Sequence, residues 1–203
     1  WDEGALVWTG ENLTEMITEF PLPDFEGFRY GEYLDLVEAS IGVRRGYMMA
    51  VKGCLFKCSF CVSSNKGEKI VYKTPEQVVS EMEFLNAQYG MENIHIHDPE
   101  FSVSKKRGQK LLKLLIDKGL NEKISLDICE KPELLDDENL KLMAEAGVEW
   151  IRLGIESADQ DVLERLNKRI DLEHAGRMIE VGQGLGINFC TFFTIGLMGE
   201  TQK

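Results

Sequence analysis

Three cysteines, Cys54, Cys58 and Cys61, fall within the segment Gly53-Cys54-Leu55-Phe56-Lys57-Cys58-Ser59-Phe60-Cys61. Thiolates this close together can converge on one metal centre, and thiolates are the usual ligands of iron–sulfur clusters. A [4Fe–4S] cluster held by four cysteines is coordinatively closed, whereas one held by three keeps an iron open to a substrate or cofactor. Electron transfer does not need that open position; bond chemistry does. A structural zinc site is the competing use, but it wants four ligands, usually in two pairs. His95 or His97 would then have to supply the fourth. Three cysteines buried only as small core residues are the third option, and Lys57 and Ser59 beside them suit a loop better.

Such a loop has to be carried by regular elements. From Tyr47 onward, short apolar runs at 47–51, 93–97, 124–129, 149–155 and 187–195 read as strands, several of them buried on both faces of a parallel sheet. Helical segments alternate with them. Thr74-Pro75-Glu76-Gln77 offers an N-cap, a proline at the first helical position and a Gln to close a capping box. Val78, Met82, Leu85 and Tyr89 then share one face, and Gly90 can end the helix in the left-handed conformation. Further helices are expected at about 104–118, from Asp136 or Asp137 to Gly147, at 159–166, and from Asp171 to Gln183. The order is β-α-β-α-β-α-β-α-β. Right-handed βαβ units of this size build either an open doubly wound sheet or a TIM-like barrel, and both put ligand chemistry at the carboxyl ends of the strands. The three-cysteine segment follows the first of those strands.

The chain has 203 residues, a net charge of −12, 43% hydrophobic and 29% charged residues. These values fit a soluble globular chain and exclude disorder and low complexity. No apolar run is long enough for a membrane span. The acidic balance argues against a broad nucleic-acid surface. Residues 1–45 lack sustained periodicity and read as a lead-in or linker, with residues 46–203 forming the core domain. The start, Trp1-Asp2-Glu3-Gly4, has no initiator Met and no signal-peptide features, so a piece of a longer protein is expected. An odd, clustered set of cysteines suits metal ligation in a reducing, cytoplasmic compartment better than disulfides, and Cys129 and Cys190 read as small strand residues.

With the spacing C-x3-C-x2-C after the first strand and Phe60 just before the third cysteine, the chain resembles the radical S-adenosylmethionine (radical SAM) superfamily. Further motifs extend the resemblance from about Gly10 to Glu200. The lead-in Glu19-Phe20-Pro21-Leu22-Pro23-Asp24-Phe25 with Tyr33 looks like that of the cobalamin-binding branch. His95-Ile96-His97-Asp98-Pro99-Glu100-Phe101 is similar to an Asp-Asp-x-Phe motif, with Pro99 in place of the second Asp. Gly154-Ile155-Glu156-Ser157 resembles a Gly-x-Glu-Ser motif, although Ser157 could also cap the next helix. Asn167-Lys168 resembles the start of Asn-Lys-Gly, with Arg169 replacing the glycine. Ile195-Gly196-Leu197-Met198-Gly199-Glu200-Thr201 resembles Gly-Leu-Pro-Gly-Glu-Thr, with Met198 in the proline position.

The resemblance implies a partial (βα) TIM-like barrel of the radical SAM type, truncated after about five βα units. It implies a [4Fe–4S] cluster on Cys54, Cys58 and Cys61, with the amino and carboxylate groups of S-adenosylmethionine chelating the open iron. It further implies reductive cleavage of that cofactor to methionine and a 5′-deoxyadenosyl radical. Phe60, Asp98, Gly154, Glu156, Ser157, Lys168 and Ile195 would surround the cofactor: Asp98 near its amino group, Glu156 and Ser157 near its ribose, Lys168 near its carboxylate, and the turn at Ile195 near adenine. Cobalamin, if used, would be held by an upstream domain not contained in these residues. The electron would come from a donor such as flavodoxin or ferredoxin. Methyl transfer or methylthiolation is the expected reaction, with rearrangement or ring formation as further possibilities and the substrate unspecified. Two rivals stay open: a non-catalytic zinc or iron–sulfur module, and an acid–base barrel enzyme using Asp98, Glu100 or Glu156.

Overall fold

In this computed structural model, which describes residues 21–25, 27–63 and 70–201, the chain runs as follows. Helix α1 (Tyr30–Ile41) leads into β1 (Arg45–Met48); the short β2 (Val51–Lys52) and β3 (Val71–Tyr72) then pair antiparallel. Next come α2 (Pro75–Tyr89), β4 (Asn93–Ile96), α3 (Lys105–Asp117) and β5 (Ser125–Glu130). A 3-10 turn (Pro132–Leu134), α4 (Asp137–Glu145), β6 (Val148–Glu156), α5 (Gln160–Arg165), α6 (Leu172–Gly184) and β7 (Asn188–Phe193) complete it. The part of the lead-in resemblance at residues 10–20 lies outside the described residues.

The five long strands are parallel and stand in the order β1-β4-β5-β6-β7. Each new strand is added beside the previous one, with no reversal of direction across the sheet. A doubly wound sheet needs such a reversal, so the singly wound, barrel-type alternative is the one adopted, with β1 and β7 as its two edges.

Helix starts follow the sequence closely. Gln77 N–H donates to Thr74 Oγ1 at 3.2 Å and Thr74 N–H to Gln77 Oε1 at 2.8 Å, the reciprocal pair that a capping box requires. Ser104, Asp136, Asp159 and Asp171 cap α3, α4, α5 and α6, each side chain accepting a backbone N–H of the first turn. The lead-in contains a helix that periodicity did not announce. α1 buries only Leu34 fully and has no side-chain cap, so neither signal was present. It is fixed instead by ring contacts: Phe25 stacks on Tyr30 at 4.5 Å, and Tyr30 meets Tyr89 of α2 edge-on at 5.3 Å.

One face of the sheet is apolar. Ile94, Ile96, Leu126, Ile128, Ile151 and Leu153 are buried in one cluster with Val78, Met82, Leu111, Leu112 and Met143 from the helices. The opposite face is polar, which corrects the expectation of strands apolar on both sides. There Asp127 accepts both Nε and Nη2 of Arg152 at 2.8 and 2.6 Å, and Asn93 bridges Arg45 and Ser125. The polar face is the one turned away from the helices, the inner face of the partial barrel.

At the end of β5 the fully buried Glu130 accepts N–H groups from Ser102 (2.8 Å) and Lys131 (3.0 Å), fastening the β4–α3 connection to β5. Burial pushes its carboxyl up to about 7. A carboxyl whose folded value lies above its unfolded one binds its proton more tightly in the folded state. Its stabilising contribution is therefore full below the unfolded value and is lost as pH rises towards 7. Denaturant titrations should show the wild type losing stability relative to Glu130→Gln across that window, by at most about 1.4 kcal/mol per pH unit. Parallel pH profiles of the two proteins would contradict this.

Candidate functional site

The excursion carrying the three cysteines is closed at its base by β2 and β3, which pair Val51 with Tyr72 and Lys52 with Val71. Beyond that base it leans on the turn after α5. Ser59 donates its N–H (2.9 Å) and Oγ (3.2 Å) to Leu166 O, and Asn167 Nδ2 donates to Lys57 O at 2.8 Å. Asn167 takes a positive φ of 52°, a conformation that asparagine tolerates better than most side chains. The same turn delivers Lys168 into the site.

Cys54 and Cys58 are each 8% exposed, and Cys61 is half-buried. The Cys54 thiol donates to Glu100 Oε1 at 3.2 Å and accepts from Phe56 N–H at 3.4 Å. Burial pushes it up to about 12. Burial also raises Cys58, but there Lys131 and Lys168 pull the other way. Both lysines are buried. Lys131 Nζ sits 3.5 Å from the Phe56 ring centroid and Lys168 Nζ 5.7 Å from that of Phe60, both within cation–π range. Two ammonium groups thus flank the cysteine loop, at the carboxyl ends of β5 and β6.

Lys168 Nζ pairs with Glu156 Oε1 at 2.9 Å, and Thr194 Oγ1 donates to Glu156 Oε2 at 2.7 Å. The register of β6 against β7 shifts between Gly154 and Glu156, and Glu156 takes a φ of 71°. Such a bulge at a strand end re-aims the side chains around it. Gly154 leaves space beneath the pair: a Cβ there would lie 2.6 Å from Glu156 Oε1 and 2.8 Å from Lys168 Nζ, so the two side-chain ends would have to shift. Phe60, Gly154, Glu156 and Lys168 therefore meet around one place, and Cys58 lies within electrostatic reach of Lys168.

The other expected residues stand differently. Asp98 is buried at the end of β4, but its Oδ1 accepts the N–H groups of Ala50 and Val51 at 2.7 and 2.8 Å, while Oδ2 has no partner. Burial pushes it up to about 6. Ser157 Oγ accepts Asp159 N–H at 3.1 Å, which is its local turn role, next to the Asp159 cap of α5. Ile195 is 95% exposed, and the N–H groups of Gly196 and Leu197 after it are taken by Glu200. His95 packs against Tyr47 and His97 and meets Cys129 Sγ at 3.8 Å, on the inner face of the sheet.

Two participants gave little warning in the sequence. Glu100, considered there only as an acid–base group, is the direct partner of Cys54, and its Oε2 is buried without a partner. Lys131 was not singled out. The available signal was an ionic pair, Glu130-Lys131, ending an apolar strand run.

Among the described residues, no group of three or more His, Cys, Asp or Glu side chains is arranged to hold a single metal ion. A cubane asks for something else, because each thiolate binds a different iron. The donor set suits that group: three thiols on one loop, with two ammonium groups that partly offset the effect of burial at Cys58. The unpartnered oxygens of Glu100 and Asp98 are acceptors of the kind that a cofactor ammonium needs. Cys54, Cys58 and Cys61 would hold the cluster, and the groups around Gly154 would hold its organic partner.

Comparison with known proteins bears on the family and the fold. Residues 48–203 match the family model of the radical SAM superfamily. An uncharacterized methyltransferase of Pyrococcus horikoshii is 28% identical over 192 residues, covering 94% of this chain and 40% of the relative. Cytidylyl-2-hydroxyethylphosphonate methyltransferase of Streptomyces wedmorensis is 27% identical, covering 89% of this chain and 35% of the relative. The chain thus spans about two-fifths or less of these relatives. Among solved structures, the radical S-adenosylmethionine methyltransferase TsrM of Kitasatospora setae, with tryptophan and an S-adenosylmethionine analogue bound, superposes with a TM-score of 0.72 at 26% identity. That match covers 82% of this chain and 33% of TsrM. The cobalamin-dependent S-adenosylmethionine radical enzyme OxsB shares the fold, with a TM-score of 0.63 at 20% identity over 73% of this chain and 23% of that one. With its cysteine loop, its sequentially ordered parallel sheet and a family match over most of its length, the chain belongs to the radical SAM superfamily.

Proposed function

We propose that this chain is the catalytic core of a radical SAM enzyme, a methyltransferase in its intact form, and that Cys54, Cys58 and Cys61 carry a [4Fe–4S] cluster with one open iron. The observation that carries the proposal is the three-thiol loop at the carboxyl edge of the sheet, flanked by the buried Lys131 and Lys168. When bound and reduced, the cluster supplies the electron that cleaves S-adenosylmethionine to methionine and a 5′-deoxyadenosyl radical. The methyltransferase relatives support the reaction class. Cobalamin would come through a part of the intact protein outside these residues. A flavodoxin or ferredoxin in the cytoplasm would serve as reductant. Among the described residues, no helix is long and apolar enough to cross a membrane.

Each residue has a task in this scheme. Lys168 meets the carboxylate of S-adenosylmethionine, and Glu156 holds Lys168 in place from below while facing the ribose with Ser157. Glu100 and Asp98 offer their free oxygens to its ammonium. Lys131 stands over the Phe56 ring and Lys168 over the Phe60 ring, which ties both cations to the cysteine loop. Gly154 leaves room for the Glu156–Lys168 pair. Adenine is assigned to the turn at Ile195.

After anaerobic reconstitution, replacement of any one of Cys54, Cys58 or Cys61 with Ala should abolish the brown cubane absorbance and the bound iron, while Cys129→Ala and Cys190→Ala should retain both. A requirement for Cys129 equal to that for the other three would close the cluster and remove the open iron. Zinc taken up in place of iron would sink the proposal outright.

Charge-assisted contacts contribute about 1.5–3 kcal/mol each. Lys168→Ala and Glu156→Ala should therefore each weaken S-adenosylmethionine binding by about tenfold or more in calorimetry. Gly154→Ala should do the same without removing a charge, because its methyl group displaces the ion pair. Unchanged affinity in all three variants would refute the assignment of the cofactor contacts, even with the cluster intact.

A further inference from the structure

We propose that Arg107, in the first turn of α3, is a positioning residue for the three-cysteine loop; the inference rests on the cluster reading above. Arg107 does not touch the cysteines. It is buried, 7% exposed, and reaches the two backbone carbonyls between which the loop leaves and rejoins the fold. Its Nε donates to Lys73 O at 2.9 Å and its Nη2 to Ala50 O at 3.4 Å. Ala50 O also receives Lys73 N–H at 2.9 Å, so one guanidinium spans the two roots of the excursion and reinforces their mutual hydrogen bond.

The surrounding groups act on the same two roots. Asp98 Oδ1 accepts the N–H groups of Ala50 and Val51. Lys73 Nζ is held by Glu81 of α2 at 2.5 Å, in a buried ion pair. The guanidinium carbon of Arg107 lies 5.3 Å from the Tyr72 ring centroid. Each strand of the small β2/β3 hairpin is thereby fixed from outside by a buried charged side chain.

A buried guanidinium is a costly way to fill space, and this one is incompletely satisfied, since Nη1 has no partner. Packing alone would be served better by an apolar side chain of similar volume. What arginine adds is a rigid fork of donors at fixed separation, able to hold two acceptors in one geometry. Cys54 follows Ala50 by four residues, so the position of that carbonyl sets where the first thiol stands relative to Glu100 and the β4 end. Lysine keeps the charge but presents one flexible donor point, and cannot bridge both carbonyls with the same rigidity.

The test uses the wild type, Arg107→Lys and Arg107→Gln, each reconstituted anaerobically. It reads the melting temperature, the iron content, and the electron paramagnetic resonance spectrum of the reduced cluster with and without S-adenosylmethionine. All three proteins should bind iron like the wild type, because the three thiols remain. Arg107→Gln should shift or broaden the spectrum of the reduced cluster before any cofactor is added, and weaken S-adenosylmethionine binding about tenfold. Arg107→Lys should fall between. A lower melting temperature with both spectra and the affinity unchanged would mean a structural role alone and would overturn the inference. If Arg107→Gln fails to fold, Arg107→Lys decides: altered spectra support the positioning role and wild-type spectra overturn it. A wild type that takes up no iron overturns the cluster reading, and this inference with it.

Discussion

A buried charge must be answered inside the protein, and the carboxyl edge of this sheet is organised around that constraint. Asp98, Glu100, Glu130, Arg107, Lys131 and Lys168 are all buried there. Five of them are held by a backbone group, an opposite charge or an aromatic ring: Asp98 by two N–H groups, Glu130 by two more, Lys168 by Glu156, Lys131 by Phe56, and Arg107 by two carbonyls; Glu100 has only the Cys54 thiol. Water would perform these tasks more cheaply. Their collection at one edge would, on the proposed reading, face a cofactor that carries charge at both its ammonium and its carboxylate. Two of the same groups, Asp98 and Arg107, bond to the backbone at Ala50, Val51 and Lys73, the two roots of the loop that carries the three thiols.

The outer layers follow from simpler terms. The helix-facing side of the sheet is apolar and buries Ile94, Ile128 and Ile151 completely, which fixes the register of the parallel strands. The inner side keeps Asp127 paired to Arg152 and leaves His97 and Tyr47 exposed. A partial barrel with a polar inner face and a charged rim separates the residues that hold the fold from those that face chemistry.

Much of the fold was legible in the sequence because its signals are local. Thr74, Ser104, Asp136, Asp159 and Asp171 all cap helices, and Gly90 ends one in the left-handed conformation. What escaped detection was set by tertiary contact. Helix α1 owes its place to Phe25 and Tyr30 stacking against α2, and the β2/β3 hairpin is too short to leave a periodic trace. The cysteine spacing pointed to the candidate site because three thiols on one loop are close in sequence. Lys131 and Arg107 escaped because they approach from another strand and a helix, and a buried charge in sequence looks like any solvated one; Glu100 was read only as an acid–base group. Asp98 illustrates the reverse: its position was foreseen, yet one of its oxygens serves the loop root, which no motif could specify.

The central claim is that three thiols and an open iron make this chain a site of S-adenosylmethionine cleavage. The direct measurement is formation of 5′-deoxyadenosine by the anaerobically reconstituted chain given dithionite and S-adenosylmethionine. The expected result is product that requires iron, reductant and cofactor together. Iron-loaded protein that binds S-adenosylmethionine and is reduced, yet forms no 5′-deoxyadenosine, would contradict it.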